Sequence, residues 1–105
     1  MAKAKITLAD EATFKATVSI PVPGGRLADV EWVFAWMDSS DFQEWMKNLA
    51  GAENVDALMD ISRGWDLDET FSKTSVEKLN QKYLGAARAV LDKFISELTG
   101  ARTKN

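Results

Sequence analysis

The sequence predicts an α+β domain in which an N-terminal β-hairpin or small antiparallel meander is followed by three to four α-helices. Residues 13–36 alternate between apolar and polar side chains, which is typical of half-buried strands. Residues 40–99 instead carry apolar side chains three and four positions apart, as amphipathic helices do. Because the strands come first and the helices after, the pattern indicates α+β rather than α/β.

The hairpin is predicted by two alternating stretches that flank a turn. The alternation is strict over residues 13–20 and is followed by two prolines and the pair Gly24-Gly25. The glycines permit the positive φ that a chain reversal needs. The second stretch places one apolar face on Ala28, Val30, Trp32, Phe34 and Trp36. We therefore predict a hairpin with a long, glycine-tipped loop, to which Lys5–Leu8 could add a short edge strand.

The first two helices are predicted from their caps and stops. Ser40 and Gln43 have the spacing of a capping box, and Gly51 is placed to end the first helix. Asn54 is the expected cap of a short second helix that ends at Gly64. In this prediction the strands are complete before either helix begins.

A connecting loop over residues 65–69 is expected to lead into the last two helices. Thr74 with Glu77 is the expected capping box of the third helix. The fourth helix is expected from about residue 86 to residue 99, with Gly100 as its stop. Its inward stripe consists of Ala87, Val90, Leu91, Phe94 and Leu98. An isolated hairpin is marginally stable in water, so these helices are expected to cover its aromatic face.

Length and composition predict one domain over residues 1–105, ending in a polar tail at residues 101–105. The chain has 105 residues, of which 46% are apolar, and this amount supports a single hydrophobic core. The N-terminus lacks the apolar region of a signal peptide, and no apolar run approaches the length of a membrane span. We therefore expect a soluble protein without a membrane partner.

The composition argues against most catalytic and metal chemistry. Histidine and cysteine are absent, which excludes Ser-His-Asp and Cys-His nucleophile systems and thiolate or imidazole metal sites. The acidic stretch Asp66, Asp68, Glu69 has only part of a calcium-loop pattern, so we interpret it as a solvated loop. The net charge is -3 and the basic residues are scattered, which argues against nucleic-acid binding. We expect neither an enzyme nor a cofactor.

The four tryptophans are the most promising candidates for a binding role. Trp45 has the register of the inward face of its helix, which predicts a core position. Trp32 and Trp36 share one strand face, and a small domain has limited cover for such a face. Either both belong to the core, or part of this region contacts a protein partner. Met37, next to Trp36, would add an adaptable apolar side chain to such a surface.

Three segments carry a resemblance to a known family. They are Gly64-Trp65-Asp66-Leu67, the stretch of residues 79–89 that reads LNQKYLGAARA, and the closing residues 97–105. In this order they resemble the tail assembly chaperones of long-tailed bacteriophages and prophages. The Phe-Lys-Ala strand and Pro-Val-Pro-Gly-Gly turn of the first half are similar too. Leu84 stands where the family has proline, which implies a less sharply bent joint between the last two helices.

The resemblance implies a non-enzymatic protein of the host bacterial cytoplasm. Such chaperones bind the tape measure protein, keep it soluble, and assist polymerisation of the major tail protein around it. Many are also made in a longer, frameshifted form. Of the residues that match the family motifs, Trp65, Asp66 and Arg88 join Trp32, Trp36 and Met37 as candidate protein-binding residues. Arg88 could equally pair with Asp92 at i+4.

Two alternative functions remain open. The protein could be a structural component that stays in the particle, such as a tail-completion or head–tail joining protein. It could also be a small regulatory binding protein encoded by a prophage. Self-association through an exposed strand edge is a further expectation, which Lys15 and the two prolines would oppose.

Overall fold

The computed structural model describes residues 12–100, and the α+β prediction is confirmed there. Within these residues an antiparallel sheet of three strands is combined with four helices. The predicted edge strand at Lys5–Leu8 and the polar tail at 101–105 lie outside the described residues. In chain order the elements are β1 (Thr13–Val22), β2 (Arg26–Ala35), α1 (Ser39–Leu49), α2 (Asn54–Ile61), β3 (Ser62–Trp65), α3 (Lys73–Lys82) and α4 (Ala86–Thr99).

The hairpin is longer, and its loop shorter, than predicted. β1 and β2 pair from Thr13↔Ala35 to Val22↔Arg26, so only Pro23, Gly24 and Gly25 form the turn. Pro21 is tolerated inside β1 because this strand lies at the edge of the sheet. Gly24 and Gly25 have φ of 100° and 75°, which confirms the positive φ predicted for the reversal.

The prediction that Trp65 begins a loop is wrong, because Trp65 belongs to a strand. Residues 62–65 form β3, which pairs antiparallel with the other side of β2 and aligns Trp32 with Trp65. A four-residue strand containing Gly64 has too few side chains to show an alternating pattern. It forms because β2 offers a free edge, which is a tertiary effect. The third strand therefore lies between α2 and α3 in the chain, not before all the helices.

Helix α2 ends earlier than predicted for the same reason. Its last residue is Ile61, and Ser62 already has extended backbone, so Gly64 is not the helix stop. Its N-cap is Glu53, one residue before the predicted Asn54, and Glu53 makes no side-chain cap hydrogen bond. Arg63 caps the C-terminal end of α2 with its side chain. Its guanidinium donates to the carbonyl oxygens of Met59, Asp60 and Ser62.

The predicted N-terminus of α1 is displaced by two residues. The Asp38 carboxylate accepts a hydrogen bond from the backbone N–H of Asp41 at 2.9 Å, so Asp38 is the N-cap. The predicted box of Ser40 with Gln43 is therefore wrong. Asp and Ser have similar cap preferences, and Asp38, Ser39 and Ser40 are consecutive, so the sequence does not distinguish them.

The N-terminus of α3 is also displaced by two residues from its predicted position. Ser72 is its N-cap, and a capping box joins Ser72 to Ser75. The Ser72 N–H donates to Ser75 Oγ at 2.8 Å, and the Ser75 N–H donates to Ser72 Oγ at 3.2 Å. The predicted box of Thr74 with Glu77 is wrong. The helix begins at Lys73, directly after the extended backbone of Ser72, so Thr74 is already inside it.

The core lies between one face of the sheet and the helices, with α4 across β1 and α2 against β2 and β3. The helix predicted for residues 86–99 is confirmed, with Gly100 as its left-handed C-cap. The core position of Trp45 is confirmed as well. Fully buried or nearly so are Val18, Ile20, Val30, Trp32, Phe34, Trp45, Leu58, Ile61, Val76, Ala86, Ala87, Val90 and Phe94.

Candidate protein-binding surface

Trp32 lies in the centre of the core and has no surface exposure. Its indole packs edge-on against Trp65, with ring centroids 5.4 Å apart, and its Nε1–H donates to Ser62 Oγ at 2.8 Å. Of the two tryptophans predicted on this face of β2, Trp32 therefore has no area through which to contact a partner. We assign it to the core.

Trp36 is placed differently, because it follows the last residue of β2, Ala35, and is exposed. The side chain is 47% exposed. The Trp36 backbone N–H donates to the Ala12 carbonyl oxygen at 3.1 Å, which extends the hairpin by one pair and fixes the chain there. An indole held on an ordered backbone with half its surface in solvent is a suitable contact for a partner.

Trp36 is the outermost ring of an aromatic array that reaches the core. It packs edge-on against Phe14, with ring centroids 5.6 Å apart, and Phe14 in turn stacks on Phe34 at 5.3 Å. Met37 is partly buried against the same core. We call the cluster of Trp36, Phe14 and Met37 the Trp36 surface. The Trp36–Phe14–Phe34 contacts are aromatic packing, and Met37 adds a flexible, half-buried thioether.

The side chains that follow the Trp36 surface along the chain are acidic. Asp38, Asp41 and Glu44 are exposed, and none of them forms an ion pair within the described residues. Asp38 and Asp41 lie at the start of α1, where negative charge is favourable to the helix dipole. The chain that follows the Trp36 surface is therefore acidic and exposed at the start of α1.

Trp65 and Asp66 both make hydrogen bonds within the fold. The Trp65 Nε1–H donates to the Glu69 carbonyl oxygen at 2.7 Å, and the indole packs edge-on against Phe71. Asp66 binds Glu31 twice: its N–H donates to the Glu31 carbonyl oxygen, and its carboxylate accepts from the Glu31 N–H at 3.0 Å. These two residues extend the β2–β3 pairing and hold the following loop.

Arg88 makes the i+4 pair considered from the sequence. Its Nε lies 3.1 Å from both carboxylate oxygens of Asp92, on an exposed side of α4. Exposed pairs of this kind contribute little to stability. Trp32, Trp65, Asp66 and Arg88 thus each have partners within the fold. Of the six residues, Trp36 is exposed, and Met37, the next residue in the chain, is half-buried.

A small, open groove lies between α1 and α2. It is lined by residues such as Trp45, Leu49 and Ala57. Residues 12–100 contain no group of three or more acidic side chains placed to hold a metal ion, and this includes the Asp66–Glu69 stretch. None of their helices has both the length and the apolar composition to cross a membrane.

Sequence reasoning missed two features, one at each end of β2. Phe14 belongs to the alternating stretch of residues 13–20, which does not indicate its edge-on contact with Trp36. Leu27 is 65% exposed at the other end of β2, opposite Pro21. A signal for Leu27 was available, because it has the parity of the polar face of β2, where an apolar side chain is unexpected.

A family model described as phage tail assembly chaperone matches residues 1–105, which is the whole chain. No curated protein and no solved structure is significantly similar to this chain.

Proposed function

Because the chain belongs to the phage tail assembly chaperone family, we propose that it is a non-enzymatic chaperone that binds the tape measure protein and assists polymerisation of the major tail protein. In this proposal it acts in the cytoplasm of the host bacterium. The chaperone holds an apolar client before assembly and releases it as the tail forms.

The observation that supports this proposal is the Trp36 surface. A holding chaperone needs an apolar contact that is accessible in the folded monomer and weak enough to release its client. Trp36 offers about half of a large indole, and Met37 next to it can adapt to varied apolar side chains. The small area favours low affinity per contact, and repeated contacts along a long client would add through multivalency.

The charge pattern supports a protein client rather than a nucleic acid. The net charge is -3, and Asp38, Asp41 and Glu44 follow the surface in the chain. These acidic residues repel phosphate backbones and favour an apolar segment with basic flanks. An apolar helix with scattered lysines or arginines is the client chemistry that this surface fits best.

The proposal is tested by co-expression with the tape measure protein encoded in the same phage or prophage genome. We expect the tape measure protein to become soluble and to co-purify with the chaperone. A tape measure protein that stays insoluble, with nothing bound, contradicts the proposal. Mass spectrometry of purified particles adds a second criterion, since a chaperone is absent from finished tails and a tail-completion protein is retained.

A further inference from the structure

The outer side of β1 is a free edge of the sheet, and the strand register shows which backbone groups face it. In the order β1-β2-β3, β1 is paired on one side only within the described residues. Ala12 continues the register to Trp36, and its carbonyl oxygen accepts from the Trp36 N–H, so the two form a hydrogen-bonded pair. Such pairs alternate with non-hydrogen-bonded pairs along an antiparallel ladder. The residues of β1 that direct their backbone groups outward are therefore Thr13, Lys15, Thr17, Ser19 and Pro21.

Two other observations agree with this assignment. Glu31 lies opposite Thr17, but its N–H donates to the Asp66 carboxylate and its carbonyl oxygen accepts from the Asp66 N–H, both on the β3 side. Pro21, which has no N–H, fits inside β1 because its nitrogen faces the free edge. Between residues 13 and 19 each outward residue keeps its N–H. This stretch can therefore bond a further strand, and Pro21 ends it.

The side chains along this edge differ between the two faces of the sheet. On the open face Lys15 is exposed, and it forms no ion pair within the described residues, not even with Glu31, which lies diagonal to it on β2. On the core face Phe14 and Ala16 are half-buried. A further strand would cover more of Phe14 and Ala16 and would bring one side chain next to Lys15. Apolar residues suit the first position, and a carboxylate suits the second.

The position of α4 disfavours a second copy of this chain as the further strand. A Cβ at Gly85, the N-cap of α4, would lie 3.1 Å from Pro21 Cγ, and the Phe94 ring stacks on Phe14 at 6.2 Å. α4 thus runs along β1 itself. Two β1 strands paired antiparallel would carry both α4 helices on one face, about 5 Å apart like the strands, whereas packed helices need about 8–10 Å. A segment without a covering helix has no such conflict.

We propose that the free edge of β1 over residues 13–19 is a second protein-binding site, which takes an extended segment of a partner protein as a fourth strand. The segment alternates apolar and polar side chains. Its apolar side chains cover Phe14 and Ala16, and an aspartate or glutamate on its polar face pairs with Lys15. Backbone hydrogen bonds to the outward groups supply most of the affinity, and the side chains supply the preference.

The probe is a short labelled peptide that alternates threonine with valine and carries one glutamate on its threonine face. Fluorescence anisotropy with the full chain is expected to show binding. A matched peptide with lysine in place of the glutamate should bind roughly two- to fivefold more weakly, as expected for an exposed pair. A version methylated at its backbone nitrogens should not bind, because it has no N–H to donate. Binding of the methylated version, equal binding of the other two, or binding of none overturns the proposal.

Hydrogen exchange measured by NMR locates the contact. In the free chain the outward N–H groups of Lys15, Thr17 and Ser19 are expected to exchange fast, and the inward N–H of Val18 slowly. The glutamate peptide is expected to slow exchange at the three outward groups. Slow exchange of these groups in the free chain would show that the edge is already paired, and this result would overturn the proposal.

Variants test the edge directly. Thr17→Pro removes an outward N–H at the centre of the site, and Pro21 shows that this edge accepts the ring, so the variant is expected to fold and to lose the peptide. Thr17→Val, the matched control, keeps the N–H and should bind as the wild type does. Lys15→Glu is expected to prefer the lysine peptide. Thermal unfolding verifies each variant, and if Thr17→Pro does not fold, Lys15→Glu and the exchange measurement still decide.

Three further outcomes would contradict the proposal. Folded Thr17→Pro that binds the peptide as the wild type does shows that the edge is not the site. Loss of the peptide in Trp36→Ser places it on the Trp36 surface instead. Wild-type dimers in sedimentation equilibrium that Thr17→Pro dissociates identify a second copy as the occupant. None of these measurements involves the tape measure protein, so this proposal and the proposed function fail independently.

Discussion

The indole N–H of Trp32 donates to the hydroxyl oxygen of Ser62 at 2.8 Å, and both side chains are almost wholly buried. The bond joins the central strand β2 to the first residue of β3, immediately after α2. It satisfies a donor that the core would otherwise leave without an acceptor. Trp32 therefore contributes to the fold through this bond and its packing, and Ser62 is its specific partner.

Ser62→Ala is expected to destabilise the protein by about 1–3 kcal/mol, because it leaves the Trp32 N–H buried without an acceptor. Urea unfolding measures the change. The same substitution in a Trp32→Phe background should cost clearly less, since the donor is then absent. An equal cost in both backgrounds would show that the hydrogen bond contributes little.

Ser72→Ala is expected to cost about 0.5–2 kcal/mol, because Ser72 caps α3 and shares a capping box with Ser75. The matched control is Thr74→Ala, two residues later on the same helix, which should be close to neutral. Thermal unfolding of the two variants compares them directly. A larger loss for Thr74→Ala would place the start of the helix where the sequence pattern alone puts it.

Alanine at Gly24 or Gly25 is expected to destabilise the hairpin by about 1–2 kcal/mol, because both residues have positive φ. Gly51→Ala serves as the control. Gly51 has no positive φ, and a Cβ there would meet no atom within 4 Å. Unfolding midpoints that fall equally for all three variants would contradict the turn geometry.

Asp66→Ala is expected to lower stability without weakening client binding, because the carboxylate binds the Glu31 backbone and not solvent alone. The loss should be on the order of 1 kcal/mol for one hydrogen bond. Unfolding and co-purification with the tape measure protein measure the two properties separately. If the Asp66→Ala variant is fully folded but no longer co-purifies with the tape measure protein, Asp66 takes part in client binding.

The fold class and the hairpin followed from the sequence because side-chain alternation and helical spacing are strong over residues 13–36 and 86–99. The third strand did not, since Ser62–Trp65 is too short for a pattern and depends on the free edge of β2. The caps were displaced wherever several polar residues stood in a row. Local propensity does not distinguish Asp38 from Ser40 as the N-cap of α1. The tertiary structure determines which of them is used.

The candidate site was only partly predictable for a related reason. Trp32 and Trp36 have the same parity in the predicted second strand, so the sequence assigns them equal roles. The structure separates them because Trp32 is wholly buried and Trp36 is about half exposed, and burial depends on the whole fold. Trp65 and Asp66 were identified through family motifs, but motif membership does not distinguish a partner contact from an internal one.

The most direct test of the central proposal is co-purification of the tape measure protein with wild-type chain, with Trp36→Ser and with Leu67→Ser. Leu67 is the control because it is also an exposed apolar residue, at 36%, and lies outside the Trp36 surface. We expect Trp36→Ser to remain folded and to recover much less soluble tape measure protein, while Leu67→Ser behaves as the wild type does. Undiminished recovery by folded Trp36→Ser would contradict the assignment of client binding to this surface.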